Sequence, residues 1–333
     1  MYHKILQNKA RIFAVAPMMD WTDRHCRFFH RLLSRRALLY TEMVVADALI
    51  HGDVARHLDF GASEHPLALQ LGGSEPQKLA QAVKIAAAWG YDEINLNVGC
   101  PSDRVQSGTF GACLMKEPDL VAECVAVMKD VTDVPVTVKC RLGVDEQDTQ
   151  AALDDIAGKV FQAGADALWV HARKAWLRGL SPKQNRDVPP LDYARVKRLK
   201  LDWPGKFIGL NGGLASLDAA LPHLDWADGV MLGRAAYQMP RLLLDVDQAV
   251  YGETTMSLSM DEVCKAMMDY TAAHIARGGR VNHVTRHMIG LFSGQPGARQ
   301  YRRILSVEAV ETEADETVIE RAFAALEPQV RAA

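Results

Sequence analysis

Eight short apolar runs, separated by longer stretches with helical periodicity, constrain this chain more than any other feature. The runs are Ile12–Ala16, Leu38–Glu42, Leu67–Leu71, Glu93–Asn97, Val134–Lys139, Ala167–His171, Lys206–Leu210 and Gly229–Gly233. Each has strand length, and most are rich in Val, Ile or Leu, the mark of strands covered on both faces. Between them, Pro76–Ala88 carries Leu79, Ala82, Val83 and Ala86 at the spacing of one helix face. Pro118–Val131 repeats that pattern, and Asp148–Ala163, Asp192–Lys200 and Ser216–Leu224 continue the alternation. Eight strands with intervening helices predict an α/β chain built on a (β/α)8 TIM barrel. The glycine fingerprint of a doubly wound dinucleotide-binding sheet is absent.

At 333 residues the chain is too long for one small core. Beyond Gly233, Met260–Arg277, Val281–Ser293 and Glu313–Ala325 read as helices, with no strand pattern among them. The expected organisation is a barrel over residues 1–244, followed by a small all-helical domain over 245–333. No run reaches the roughly 18–20 apolar residues that span a bilayer. The N-terminus lacks the pattern of a secretory signal. The six cysteines, at 26, 100, 113, 124, 140 and 264, form no CxxC pair. That spacing argues against zinc and iron–sulfur sites. A cytoplasmic protein with reduced thiols, no metal and no membrane anchor is expected.

In a barrel, chemistry collects at the C-terminal ends of the strands. Those ends read Pro17-Met18-Met19-Asp20, Gln70, Asn97-Val98-Gly99-Cys100-Pro101-Ser102, Lys139-Cys140-Arg141, His171-Ala172-Arg173, Asn211-Gly212-Gly213 and Gly233-Arg234. Loops after the last two strands commonly cradle phosphate. Gly212, Gly213 and Gly233 let backbone N–H groups approach oxygen, and Arg234 adds a charge-assisted bond. Lys139 can stabilise the negative charge of an electron-rich ring such as a reduced flavin. Taken alone, Lys139 equally fits a structural ion pair, and His171 a satisfied core histidine. Together with Gln70 and the glycine loops they favour a flavin.

Cys100 follows a strand, with Gly99 free to turn the backbone and Pro101 fixing its direction. An ordinary thiol, with a pKa of about 8.5, is mostly protonated near neutrality and can donate a proton. Cys113, Cys124, Cys140 and Cys264 fall in apolar patterns and read as small core residues.

The net charge of −3 argues mildly against a nucleic-acid partner. The average hides a local imbalance. From Tyr270 to Val307 there is no Asp or Glu, whereas Arg277, Arg280, Arg286, Arg299, Arg302 and Arg303 all lie there. Arg173–Lys200 forms a second basic stretch. Phosphate binding needs local positive charge, and Trp176 and Tyr301 are placed among these cations to stack on bases.

Leu96-Asn97-Val98-Gly99-Cys100-Pro101-Ser102, with Ala16-Pro17-Met18-Met19-Asp20-Trp21-Thr22-Asp23 upstream, resembles the tRNA-dihydrouridine synthases. Tyr40-Thr41-Glu42-Met43, Gln70-Leu71-Gly72-Gly73, Val138-Lys139-Cys140-Arg141-Leu142-Gly143 and Leu210-Asn211-Gly212-Gly213 carry the similarity along the chain. His171-Ala172-Arg173-Lys174-Ala175-Trp176-Leu177 and Gly297-Ala298-Arg299-Gln300-Tyr301-Arg302-Arg303 point to the A subfamily, which acts on U20 and U20a of the D-loop. The resemblance implies FMN held by Pro17, Met18, Met19, Gln70, Lys139, His171, Asn211, Gly212, Gly213, Gly233 and Arg234. It implies NADPH as reductant, hydride transfer from reduced FMN to C6 of uridine, and Cys100 as proton donor to C5. It further implies that Asn97 contacts the uridine and that Lys183, Arg186, Arg299 and Arg302 contact tRNA. A monomer is expected, although the sequence does not fix the oligomeric state. Two rivals stay open on the sequence alone. One is a flavin reductase of a free pyrimidine, and the other a non-catalytic RNA-binding flavin barrel. The arginine-rich C-terminal helices argue against the first, and Cys100 against the second.

Overall fold

The computed structural model describes residues 1–102, 109–254, 258–327 and 330. Eight parallel strands form one sheet in the order β1-β8-β7-β6-β5-β4-β3-β2. They are β1 (Ile12–Val15), β2 (Leu39–Val45), β3 (Leu67–Gly72), β4 (Glu93–Val98), β5 (Val136–Arg141), β6 (Ala167–His171), β7 (Phe207–Asn211) and β8 (Gly229–Leu232). Val15 N–H donates to the Leu38 carbonyl, and Leu38 N–H donates to that of Phe13, which joins β1 to the start of β2. The sheet is the (β/α)8 TIM barrel that the alternating pattern predicts, and helices follow it. All eight expected runs are strands, and β2 continues three residues past Glu42.

Side chains in a strand alternate between faces, so every second residue enters the barrel. From floor to mouth, β4 contributes Glu93, Asn95 and Asn97, β5 contributes Thr137, Lys139 and Arg141, and β6 contributes Ala167, Trp169 and His171. The floor is filled by Trp169, Phe207, Tyr40 and Met231, together with Tyr2 of the N-terminal helix Tyr2–Gln7. The Tyr2 and Phe207 rings meet edge to face, 4.6 Å apart. Two glycines make room for the indole. A Cβ at Gly209 would lie 2.1 Å from the Trp169 ring, and one at Gly229 would lie 2.8 Å from it.

The chain divides into two compact units. Met1–Met19 and Leu38–Gly233 make the barrel, and Asp20–Ala37 and Arg234–Ala333 make a helical unit. The helical unit is built around Phe292, Tyr301 and Phe323, whose rings pack edge to face at 5.0 to 5.6 Å. Helix Arg24–Leu33 adds Phe28, stacked on Tyr270 at 4.0 Å. Its N-cap, Asp23, accepts from the N–H groups of His25 and Cys26 and also pairs with Arg286 and His287.

Three helical expectations change in this unit. The helix expected over Val281–Ser293 ends at Thr285, and turns follow. In the turns that follow, a Cβ at Gly290 would lie 2.3 Å from the Gln238 carbonyl oxygen, and Gly294 has a φ of +83°. The helix expected from Glu313 begins at Thr317, where Asp315 accepts from the Thr317 N–H in a local turn. Ala298–Val307, read only as a basic segment, is a helix with Tyr301, Ile304 and Leu305 on its buried side. Tyr301 is correspondingly 0% exposed, and its hydroxyl donates to the Met288 carbonyl. The expectation that Tyr301 stacks on nucleic-acid bases is therefore overturned.

Candidate active site

Cys100 sits immediately beyond β4, half-buried, on a main chain held at three points. Its N–H donates to Asn97 Oδ1 at 2.9 Å, and the Gly99 N–H donates to the same oxygen at 3.0 Å. Its carbonyl accepts from the Ala112 N–H at 2.9 Å, and the Gly99 carbonyl accepts from Arg141 Nε at 3.1 Å. Pro101 is buried. The thiol is therefore presented on a fixed backbone. Among the described residues, its sulfur lies 3.5 Å from Ser102 Oγ.

The other cysteines differ from it. Cys26, Cys124, Cys140 and Cys264 are buried. Burial pushes the thiols of Cys124 and Cys140 up to about 12, which keeps them protonated and inert. Cys113 is half-buried and donates to the Phe110 carbonyl, and burial raises its pKa also.

Cationic side chains gather where β5 and β6 end. Lys139 donates to Asn211 Oδ1 at 3.0 Å, and Asn211 Nδ2 donates to the Met231 carbonyl at 2.7 Å. Besides Gly99, Arg141 donates to the carbonyls of Asn185 and Lys174 at 2.7 and 3.3 Å. Neither cation has a carboxylate within ion-pair distance among the described residues. Burial, with repulsion from Arg141, lowers Lys139 to about 8. Burial lowers Arg141 to about 9. Burial and the charges of Arg141 and Lys139 hold His171 well below the usual imidazole range, so its ring is neutral at neutral pH. Buried positive charge without a resident anion favours an anionic ligand.

The glycine loops agree with that charge. Gly212 and Gly213 have φ of +106° and +69°, and a Cβ at Gly212 would lie 2.2 Å from the His171 ring. Tyr193 OH donates to the Gly212 carbonyl at 2.7 Å. A Cβ at Gly233 would lie 3.5 Å from Met18 Sδ, which sets Met18 beside that loop. Pro17 and Met18 are half-buried, and Met19 is 54% exposed. Arg234 opens the helix Arg234–Gln238 of the other unit. Residues of the barrel thus fit a phosphorylated, electron-rich aromatic ligand: bare backbone for phosphate, Lys139 for ring charge and neutral His171 as a hydrogen-bond donor.

A family model described as dihydrouridine synthase matches residues 14–327. The chain belongs to the dihydrouridine synthase family. It is 56% identical over 317 residues to the tRNA-dihydrouridine(20/20a) synthase of Shewanella oneidensis, covering 95% of this chain and 94% of that protein. It is 55% identical over 312 residues to the proteins of the same name from Salmonella typhi and Escherichia coli K12. Those alignments cover 93% of this chain and 94% and 90% of the relatives.

In this dihydrouridine synthase the structure brings Gln70, Asn97, Lys139 and Asn211 into the barrel interior beside the Cys100 loop. Gln70 is buried, with Nε2 donating to Asn95 Oδ1 and Oε1 accepting from Asn97 Nδ2, each at 2.8 Å. Lys183 and Arg186 are exposed on a loop that Asn185 organises. Fully buried Asn185 donates to the carbonyls of Trp176 and Leu180 and accepts from the Trp176 N–H. Trp176 is half-buried, with Lys174 Nζ 5.6 Å above its ring. In the helical unit Arg299 and Arg302 are exposed on helix Ala298–Val307. Sequence reasoning missed the roles of Arg141 and Asn185. Arg141 at a strand end was a visible signal, but its three carbonyl partners are distant in the chain. No helix of the described residues is long and apolar enough to cross a membrane, and none of their side-chain groups suits a metal ion.

Proposed function

We propose that this dihydrouridine synthase reduces the C5–C6 double bond of uridines 20 and 20a in the D-loop of tRNA, with FMN as cofactor and NADPH as reductant. FMN, once bound and reduced by NADPH, supplies the hydride that C6 of uracil takes up. Cys100 delivers the proton to C5 and is reloaded from solvent, which reaches its half-buried thiol. With the cofactor bound, Lys139 would stabilise negative charge on the flavin ring, and the loops at Gly212, Gly213 and Gly233 would receive the phosphate. Asn97 orients both the Cys100 backbone and the target base, since its Nδ2 has a second hydrogen beyond the one given to Gln70. The barrel unit then carries the chemistry and shares the tRNA contacts with the helical unit, in a monomeric, cytoplasmic enzyme.

A stacked base cannot reach a barrel interior, so the uridine is drawn out of the tRNA. Lys183 and Arg186 on the barrel, and Arg299 and Arg302 on the helical unit, bind phosphates by releasing counterions. The observation that carries this reading is the half-buried thiol of Cys100, its main chain held by Asn97, Ala112 and Arg141, near buried cations that no carboxylate of the described residues pairs with. The purified protein, incubated with NADPH and unmodified tRNA, is expected to form dihydrouridine at positions 20 and 20a, mapped by reverse transcription or mass spectrometry. NADPH oxidation driven by a free pyrimidine, with the tRNA unchanged, would overturn it.

A further inference from the structure

A line of buried polar side chains runs up the inside of the barrel from its floor to the Cys100 loop. Glu93 lies at the bottom, 0% exposed, accepting hydroxyl donors from Tyr2, Tyr40 and Thr137. Thr137 Oγ1 accepts from Asn95 Nδ2 at 2.7 Å. Asn95 Oδ1 accepts from Gln70 Nε2 at 2.8 Å, and Gln70 Oε1 accepts from Asn97 Nδ2 at 2.8 Å. Asn97 Oδ1 accepts the N–H groups of Gly99 and Cys100.

Both ends of this line demand the same direction. At the top, two backbone N–H groups face Asn97, so its oxygen must point at them and its NH2 must point down at Gln70. Gln70 must then turn its oxygen up and its NH2 down, and Asn95 likewise. At the bottom, the Glu93 carboxylate only accepts, so Thr137 gives it the hydroxyl proton and receives Asn95 from above. Each amide has one orientation that satisfies both neighbours. Reversing any member would set donor against donor in a buried site. Adjacent strands supply successive links, since Gln70 pairs with Asn95 and Asn95 with Thr137 in the ladder.

We propose that Glu93 and Thr137 are positioning residues for the Cys100 acid, fixing through Asn95, Gln70 and Asn97 where the main chain of the thiol is held. The proposal rests on the reading of Cys100 as proton donor. Burial pushes Glu93 up in pKa, while the hydrogen bonds from Thr137, Tyr2 and Tyr40 oppose that rise. The tyrosines keep Glu93 satisfied if the link to Thr137 is cut, so Thr137 is the place to break the line.

The test uses the purified, flavin-loaded protein and its Thr137→Val and Thr137→Ser variants. Three rates are read: dihydrouridine formation at saturating tRNA, flavin reduction by NADPH, and iodoacetamide labelling of the Cys100 peptide from about pH 6 to 9. Thr137→Val is expected to lower turnover by about tenfold, leaving KM for tRNA and flavin reduction unchanged. Its labelling profile at Cys100 is expected to shift by about threefold in rate or more. Thr137→Ser, which restores the hydroxyl, is expected to restore both turnover and labelling. Wild-type turnover and labelling in Thr137→Val would overturn the proposal. An equal loss in Thr137→Ser would do the same, since it would trace the effect to packing. Full turnover in Cys100→Ala would instead overturn the proton-donor reading, and the labelling rates would still decide whether Thr137 positions the thiol.

Discussion

The barrel interior and the helical unit handle polar groups in opposite ways. Inside the barrel, Glu93, Asn95, Gln70, Asn97 and Thr137 are buried, and each is bonded to its neighbours at set distances. On the helical unit, Arg277, Arg299, Arg302 and Arg303 are exposed and, among the described residues, form no ion pair. Proton transfer needs atoms within hydrogen-bond reach of a fixed target, so its groups are locked in place. Phosphate docking needs charge at a surface, and a charge already neutralised by a carboxylate would release fewer counterions.

That contrast can be broken most decisively at Cys100. Cys100→Ala is expected to lower dihydrouridine formation by about 10²–10⁴-fold, with flavin content and tRNA affinity retained. Single-turnover assays and a filter-binding titration measure the two sides. A variant that kept its turnover would leave the rigid loop without a chemical purpose.

A smaller effect comes from the buried cations. The charged form of Lys139 is disfavoured in the folded protein, with its pKa lowered to about 8. A bound anion favours that charged form. FMN affinity is therefore level below pH 8, while the free protein keeps the charge, and declines above it, by up to about tenfold per pH unit. Stability of the flavin-free protein has the opposite trend. Between the folded pKa and the unfolded value of about 10.4, only the unfolded chain holds the proton, so this lysine contributes rising stability with pH. Fluorescence titration of FMN across that range checks the affinity, and a Lys139→Met protein is expected to lose the dependence. A slope that persists in Lys139→Met would assign it elsewhere.

The smallest effects belong to the surface. Arg299→Ala and Arg302→Ala are each expected to weaken tRNA binding a few-fold and to reduce the slope of log K against log salt by about 0.7–0.9. Turnover at saturating tRNA should hold. If both variants leave the salt slope unchanged, these arginines are not phosphate contacts, and the contrast loses one side.

The barrel was readable because covered strands leave an unbroken apolar signature, and because strand ends are where chemistry collects. All eight strands and the strand-end position of Cys100 follow from local pattern. The line from Glu93 to Asn97 does not. Its bonded neighbours are separated by 25 to 44 residues, and polar residues inside strands look like interruptions until the ladder aligns them. Helix Ala298–Val307 was hidden for another reason. Its arginines dominate ten residues, and the narrow stripe of Tyr301, Ile304 and Leu305 that buries it is easily read as incidental. The same density of charge made Tyr301 look like a surface aromatic. Asn185 gave no signal at all, since an asparagine that clamps a loop has the same local neighbours as one that does not.

Helix Arg24–Leu33 lies between β1 and β2 in the chain but packs in the helical unit. Its partners arrive late in synthesis. At 5–20 residues per second, roughly 10–40 s separate its emergence from that of residue 234. Through that interval Phe28 waits for Tyr270, and Asp23 waits for Arg286 and His287. A newborn chain therefore carries an unmatched amphipathic helix past the completion of its last barrel strand. Stop codons between Gly233 and Tyr270 would strand that helix without these partners, so such truncated products should be handled by chaperones or proteases rather than persist as free barrels.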